Sequence, residues 1–215
     1  MLVVAEFEIK GLARFLSHAE TLRLFCRALR RAGLKMRFSQ GFNPHPRLSL
    51  PLPRSVGVEA DADLLCVELA EQTACAGAKS EAEPLKADIN AQLPQDVRLR
   101  RVNLEKDGAL PVPRRVTYVL QPAGPPLGLK QRVTRLMRSD ALPVSRPARP
   151  GHGARTVDVR RFIESVEIRA RRVLVRCLVE PCGTIRPGEI LALLGLEAGD
   201  LAGPIRRTDI EWRKK

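Results

Sequence analysis

The 215-residue sequence is short of several things, and each shortage narrows what the chain can do. Aromatic residues make up only 4% of it, so base stacking of the kind used by RNA-recognition sheets would rest on Phe38 and Phe42. There are three histidines, His18, His45 and His152, and five cysteines, Cys26, Cys66, Cys75, Cys177 and Cys182. No C-x-x-C pair occurs among them, so neither a cysteine-ligated cluster nor a local structural zinc site is encoded, and no metal or cofactor is expected. The odd, irregularly spaced cysteine set suits free thiols in a reducing cytoplasm. The glycines are scattered rather than gathered into a phosphate-cradling loop. No stretch reaches the roughly 20 apolar residues of a membrane span. The opening MLVVAEFEIKG carries Glu6 and Glu8 and no basic leader, which reads as neither signal peptide nor anchor.

Acid is missing where base is dense. The chain holds 37 Lys and Arg against 24 Asp and Glu, a net charge of +13. From Lys10 to Arg54 there are ten basic residues and a single acid, Glu20, whereas residues 55–106 are net acidic and the remainder is again basic. Such blocked charge favours one localised basic face and a polyanionic partner.

What is present in that segment is the run Met36–Val58, MRFSQGFNPHPRLSLPLPRSVGV. Prolines 44, 46, 51 and 53 restrict the backbone, and Gly41 and Gly57 supply permissive points. Gln40, Asn43, His45, Arg47 and Arg54 lie along it. Composition leaves two readings open: a recognition loop, or a proline-rich crossover whose polar side chains serve their own turns.

Around this run the chain reads as strand, helix, strand, strand, helix, strand. Residues 2–9 alternate with period two, Gly11 ends the strand, and Ser17-His18-Ala19-Glu20 fits a capping box. A helix to about Ala32 follows, with Gly33 at its C′ position. Leu22, Phe25, Cys26 and Leu29 share its apolar side, and Arg23, Arg27, Arg30 and Arg31 the other. Lys35–Ser39 and Leu64–Leu69 read as strands, Ala82–Leu93 as a helix, and Val97–Leu104 as a strand with a phase slip at Arg100-Arg101. Residues 107–113 read as a linker, beyond which the pattern recurs: strand 115–121, helix 129–138, strands near 157–167 and 172–180, helix 187–194, strand 205–212. The expected class is α+β, two tandem ferredoxin-like (βαββαβ) units with antiparallel sheets, over 1–106 and 114–215. The basic, proline-rich Pro143–Gly153 occupies the same connection in the second unit as residues 36–58 do in the first.

Arginine gives bidentate contacts to phosphate, and Gln, Asn and His reach base edges or ribose hydroxyls. The expected RNA contacts are therefore Arg23, Arg27, Arg30, Arg31 and Arg37 on phosphate, with Gln40, Asn43, His45, Arg47 and Arg54 as a recognition loop. No catalytic residue is assigned, although His18 and His45 are the groups that could act as a base.

The series FLSHAETLRLFCRALRRAGL and then FSQGFNPHPRLSLPLPRSVGVEADADLLCVEL resembles the radical-SAM-linked protein family, a bacterial domain of unknown function. That family occurs alone or fused behind a cobalamin-binding radical SAM enzyme. The likeness is dense from Phe15 to Leu69 and thinner at Asp158-Val159-Arg160 and Ile205-Arg206-Arg207-Thr208. It implies an association with radical SAM chemistry on RNA, with this chain as the accessory half because it has no cluster motif. The expectation is a cytoplasmic RNA-binding accessory protein that presents tRNA or rRNA to a partner radical SAM enzyme. Two rivals stand beside it: an endoribonuclease using His18, and an adaptor for an acidic partner subunit.

Overall fold

The computed structural model describes residues 1–70, 81–105, 109–124, 127–147 and 153–213; Cys75, His152 and the tip of the Pro143–Gly153 segment lie outside the described residues. The chain divides into two units, Met1–Pro113 with Trp212–Lys215, and Arg114–Glu211. Inside the expected linker, residues 107 and 108 are outside the described set, and Val112 and Pro113 already belong to a strand.

The first unit runs β1 (Leu2–Ile9), a 3-10 turn (Gly11–Phe15), α1 (His18–Arg31), β2 (Leu48–Ser49), β3 (Glu59–Glu68), α2 (Ala82–Asn90) and β4 (Val97–Glu105). Its strands lie in the order β4-β1-β3, with β2 paired to β3 on the side away from β1, every one of these pairs antiparallel. The alternating residues Val3, Ala5, Phe7 and Ile9 put one face of β1 into the core, where Phe25 and Leu29 of α1 and Leu85 and Ile89 of α2 cover it. Phe7 and Phe25 meet edge to face, centroids 4.7 Å apart. The phase slip in β4 is a bulge: Glu6 pairs Arg101 while Phe7 pairs Leu99, so Arg100 is the extra residue.

Both ends of α1 follow from its sequence. Ser17 Oγ accepts the Glu20 N–H, and Glu20 accepts the Ser17 N–H in return at 2.8 Å. Gly33 takes φ +73°, Leu34 N–H reaches Leu29 O at 3.0 Å and Gly33 N–H reaches Arg30 O at 3.0 Å, which closes the helix in a Schellman motif. The buried face is slightly rotated from the expected one. Thr21, Phe25, Ala28 and Leu29 are buried, while Leu22 and Cys26 are only partly covered. Thr21 is tolerated there because its hydroxyl donates to Ser17 O at 2.8 Å.

The second unit runs β5 (Val112–Leu120), α3 (Leu129–Arg138), β6 (Pro143–Arg146), β7 (Arg155–Asp158), β8 (Ile163–Arg169), β9 (Arg172–Leu178), α4 (Pro187–Leu193) and β10 (Arg206–Arg213). Four of these strands follow the order β10-β5-β9-β8, and β6 pairs β7 in a hairpin of its own. The strand expected at 157–167 is thus two pieces, β7 and β8, separated by a 3-10 turn at Arg160–Phe162. The molecule combines α and β segments on mostly antiparallel sheet. Among the described residues no helix is long and apolar enough to cross a membrane.

Candidate functional site

Lys35–Ser39 does not continue as the expected strand. Instead the edge of β3 is approached twice. Arg37 N–H donates to Glu68 O at 2.8 Å, and Glu68 N–H donates to Arg47 O at 2.9 Å. Between those anchor points the chain leaves the sheet and folds back on itself. Arg47 N–H donates to Arg37 O, Ser39 N–H to His45 O, and Phe38 faces Pro46. The reason it stays a narrow hairpin and no wider strand lies in the prolines. Pro44 and Pro46 have no N–H, so only His45 and Arg47 can donate from the returning leg. His45 N–H spends its bond on Ser39 Oγ at 2.9 Å.

The register puts Arg37, Ser39, His45 and Arg47 on one face of this hairpin, Phe38 and Pro46 on the other, and Gln40–Pro44 at the tip. Gly41 at φ +134° makes the tip bend possible. Gln40, Phe42, Asn43 and His45 are all exposed, Phe42 completely. At the base, Arg37 Nη1 lies 3.5 Å and Arg47 Nη1 3.3 Å from the carboxylate of Glu68. One acid therefore draws two arginines together and leaves the pair with surplus positive charge.

The α1 arginines form a different feature. Arg23, Arg27 and Arg31 line one wall of an open groove of about 750 Å3, whose other wall is residues 91–94 after α2. The acid on the arginine wall, Glu20, is occupied by the helix cap. Hydrogen bonds from the Ser17 hydroxyl and backbone N–H hold its carboxyl below the usual range. Arg31 is braced by Gln92, with Nε 3.2 Å from Oε1 and Nη2 2.5 Å from the backbone O. Arg30 is exposed and does not line the groove, and neither does any residue of the 36–58 segment. The sequence grouped helix arginines and loop as one surface; the fold gives the groove and the hairpin separate linings.

Arg54 is placed differently again. Its guanidinium turns onto the protein's own backbone, with Nη1 2.7 Å from Arg14 O and 2.6 Å from Val58 O, and Nη2 3.2 Å from Leu16 O. Gly57 N–H adds a bond to Arg14 O at 2.9 Å. This fork clamps the proline-rich return to the end of the 3-10 turn, so Arg54 holds the loop in place. Sequence reasoning also missed Glu68 as the organiser of Arg37 and Arg47, because residues 21 to 31 apart carry no local spacing signal.

The candidate bases differ in access. His18 is half-buried at the first turn of α1, and its Nδ1 is fully enclosed without a hydrogen-bond partner. The space beside it is about 10 Å3, lined by Thr21, Leu50, Leu52 and Asp63 among others, too small for a ribose or a phosphate. His45 is exposed on the hairpin. Burial, with the nearby Glu105 and Glu164 carboxylates adding to it, pushes the Cys66 and Cys177 thiols up to about 12, so neither is a nucleophile near neutral pH. Among the described residues Cys26, Cys66, Cys177 and Cys182 are free.

Fold and site together define a basic, two-unit protein of mostly antiparallel sheet whose first unit projects a polar hairpin anchored at Glu68, the end of β3. The chain belongs to the family described as an uncharacterized protein conserved in bacteria (DUF2344), whose pattern matches residues 3–187. No curated protein matches it. A similar solved structure is a chain of "Crystal Structure of a Cbf5-Nop10-Gar1 Complex", 16% identical with a TM-score of 0.46. The likeness covers 97% of this chain and 48% of that one, so the chain spans about half the length of the structure it matches.

Proposed function

We propose that this protein is a cytoplasmic, non-catalytic RNA-binding subunit that presents tRNA or rRNA to a partner radical SAM modification enzyme. The observation that carries the reading is the groove of α1, where Arg23, Arg27 and Arg31 stand together and Glu20 is committed to its cap. Arginines gathered for solubility alone are normally interleaved with acids. The exposed amides and imidazole of the hairpin add groups suited to base edges and ribose hydroxyls. The radical SAM partner rests on the resemblance of residues 15–69 and on no contact within this chain. The enclosure of His18 favours the accessory role over an RNA-cleaving one. We further read both units as ferredoxin-like, on the strength of the matching orders β4-β1-β3-β2 and β10-β5-β9-β8, the second unit carrying the β6–β7 hairpin as an insertion.

The test is binding of the full chain to bulk tRNA and to rRNA fragments over a range of salt. Affinity is expected to fall steeply as salt rises, and replacing Arg23 and Arg27 with Ala is expected to lower the log–log slope by about one to two units. An affinity indifferent to salt, or a slope unchanged in the double variant, refutes the assignment of the groove. The partner is tested separately, by whether the purified chain and RNA together co-elute with the radical SAM enzyme of the same cell.

A further inference from the structure

We infer that the hairpin of residues 37–47 is a clip for a few nucleotides of single-stranded RNA, stacking a base on Phe42 at its tip and taking backbone phosphate at the Arg37–Arg47 pair. This rests on the RNA-binding reading above and names which part of an RNA the hairpin takes.

Three observations point the same way. Phe42 stands wholly in solvent at the end of a hairpin that is pinned at its base by two backbone bonds to Glu68. A fully exposed aromatic held on a fixed finger has lost no solvation that a core would return, and an aromatic ring offers a flat face to any base. The side chains next to it at the tip are Gln40 and Asn43, whose amides both donate and accept, as base edges require. At the other end Arg37 and Arg47, on the same face as His45, converge on the Glu68 carboxylate through one nitrogen each. That arrangement aims two guanidiniums side by side and keeps a net positive charge there, with no acid anywhere in residues 37–47.

The dimension fits the ligand. From Phe42 to either arginine is five residues, at most about 16 Å at about 3.3 Å per residue, so base and phosphate contacts fall on different nucleotides of one strand. A duplex cannot use the tip, because its bases are already stacked and paired. A protein-docking finger would require no amide pair beside the aromatic and no arginine pair behind it.

The experiment uses the full chain with Phe42→Trp, read by fluorescence, and the unaltered chain as the blank because its one tryptophan, Trp212, lies outside the hairpin. The probes are a single-stranded oligouridylate and a self-complementary RNA duplex of equal length. Saturable quenching by the single strand in the variant alone is expected. Phe42→Ser is expected to weaken single-strand binding about ten-fold while duplex affinity stays within two-fold. Arg37→Ala with Arg47→Ala should reduce the salt slope for the single strand. Single-strand binding without quenching, or equal loss for both probes in Phe42→Ser, overturns the clip and leaves the α1 groove as the RNA site. Unchanged RNA binding in Phe42→Ser assigns the finger to a protein contact and also overturns it. If neither probe binds the unaltered chain, the clip and the RNA-binding reading fall together.

Discussion

Arg54→Ala separates a residue that holds the loop from one that contacts a ligand. The guanidinium of Arg54 bonds four backbone carbonyls, two of them within 2.7 Å, and a hydrogen bond from a charged donor contributes roughly 1.5–3 kcal/mol. Counting the two short bonds, to Arg14 O and Val58 O, at the lower end of that range, and the longer ones to Leu16 O and Ser55 O as adding little, gives an expected loss of about 3 kcal/mol. For a chain of 215 residues this corresponds to a fall in Tm of roughly 6–12 °C, followed by circular dichroism at 222 nm. Arg54→Lys keeps the charge but offers a single point donor in place of a fork, and should recover only a minor part of the loss. RNA affinity measured well below the transition should change little in either variant. A melting curve for Arg54→Ala within a degree of the unaltered protein, together with a several-fold loss of RNA affinity, would refute the clamp and return Arg54 to the recognition loop.

Two further outcomes follow from particular contacts. Asn90, the last residue of α2, donates to Leu99 O at 3.1 Å and accepts Leu99 N–H at 2.7 Å beside the β4 bulge, so Asn90→Ala should cost about 2 kcal/mol in urea unfolding. A loss under about 0.5 kcal/mol would show that water replaces the amide there. Glu189 is held by Arg146 at 2.7 and 2.9 Å; burial alone would push its carboxyl up, but the Arg146 hydrogen bonds and the Arg186 N–H together hold it below the usual carboxylate range. A depressed folded-state pKa contributes stability above the ordinary carboxylate range and loses it as pH falls through the folded value. The Tm gap between the unaltered chain and Glu189→Gln should therefore be full above about pH 5 and shrink below pH 4; a gap constant with pH would refute the linkage.

The features legible in sequence are those set within a turn or two of the chain. The Ser17–Glu20 box, the Gly33 stop, the helix at 129–138 and the bulge at Arg100 all came through because each depends on neighbours three to six residues apart. The solvent position of Gln40, Asn43 and His45 was likewise readable from a polar run with prolines on either side of His45. The hairpin was not, since its pairing of Arg37 with Arg47 depends on where the two legs meet β3, and a strand with a loop has the same local composition. Phe42 looked like a scarce aromatic and became an exposed tip only once the turn at 40–44 was placed.

By itself, then, the sequence determined the charge imbalance, the helices and the longer strands that flank them, and the ends of α1, because these are properties of composition and short-range spacing. Tertiary structure alone decided which arginines face solvent with surplus charge and which are consumed. Arg54 went to backbone carbonyls 38 and 40 residues back along the chain, Arg37 and Arg47 to a shared Glu68, and Arg23 and Arg27 to an open groove. A guanidinium's role is set by the nearest acceptor in space, and chain closure over tens of residues selects that acceptor.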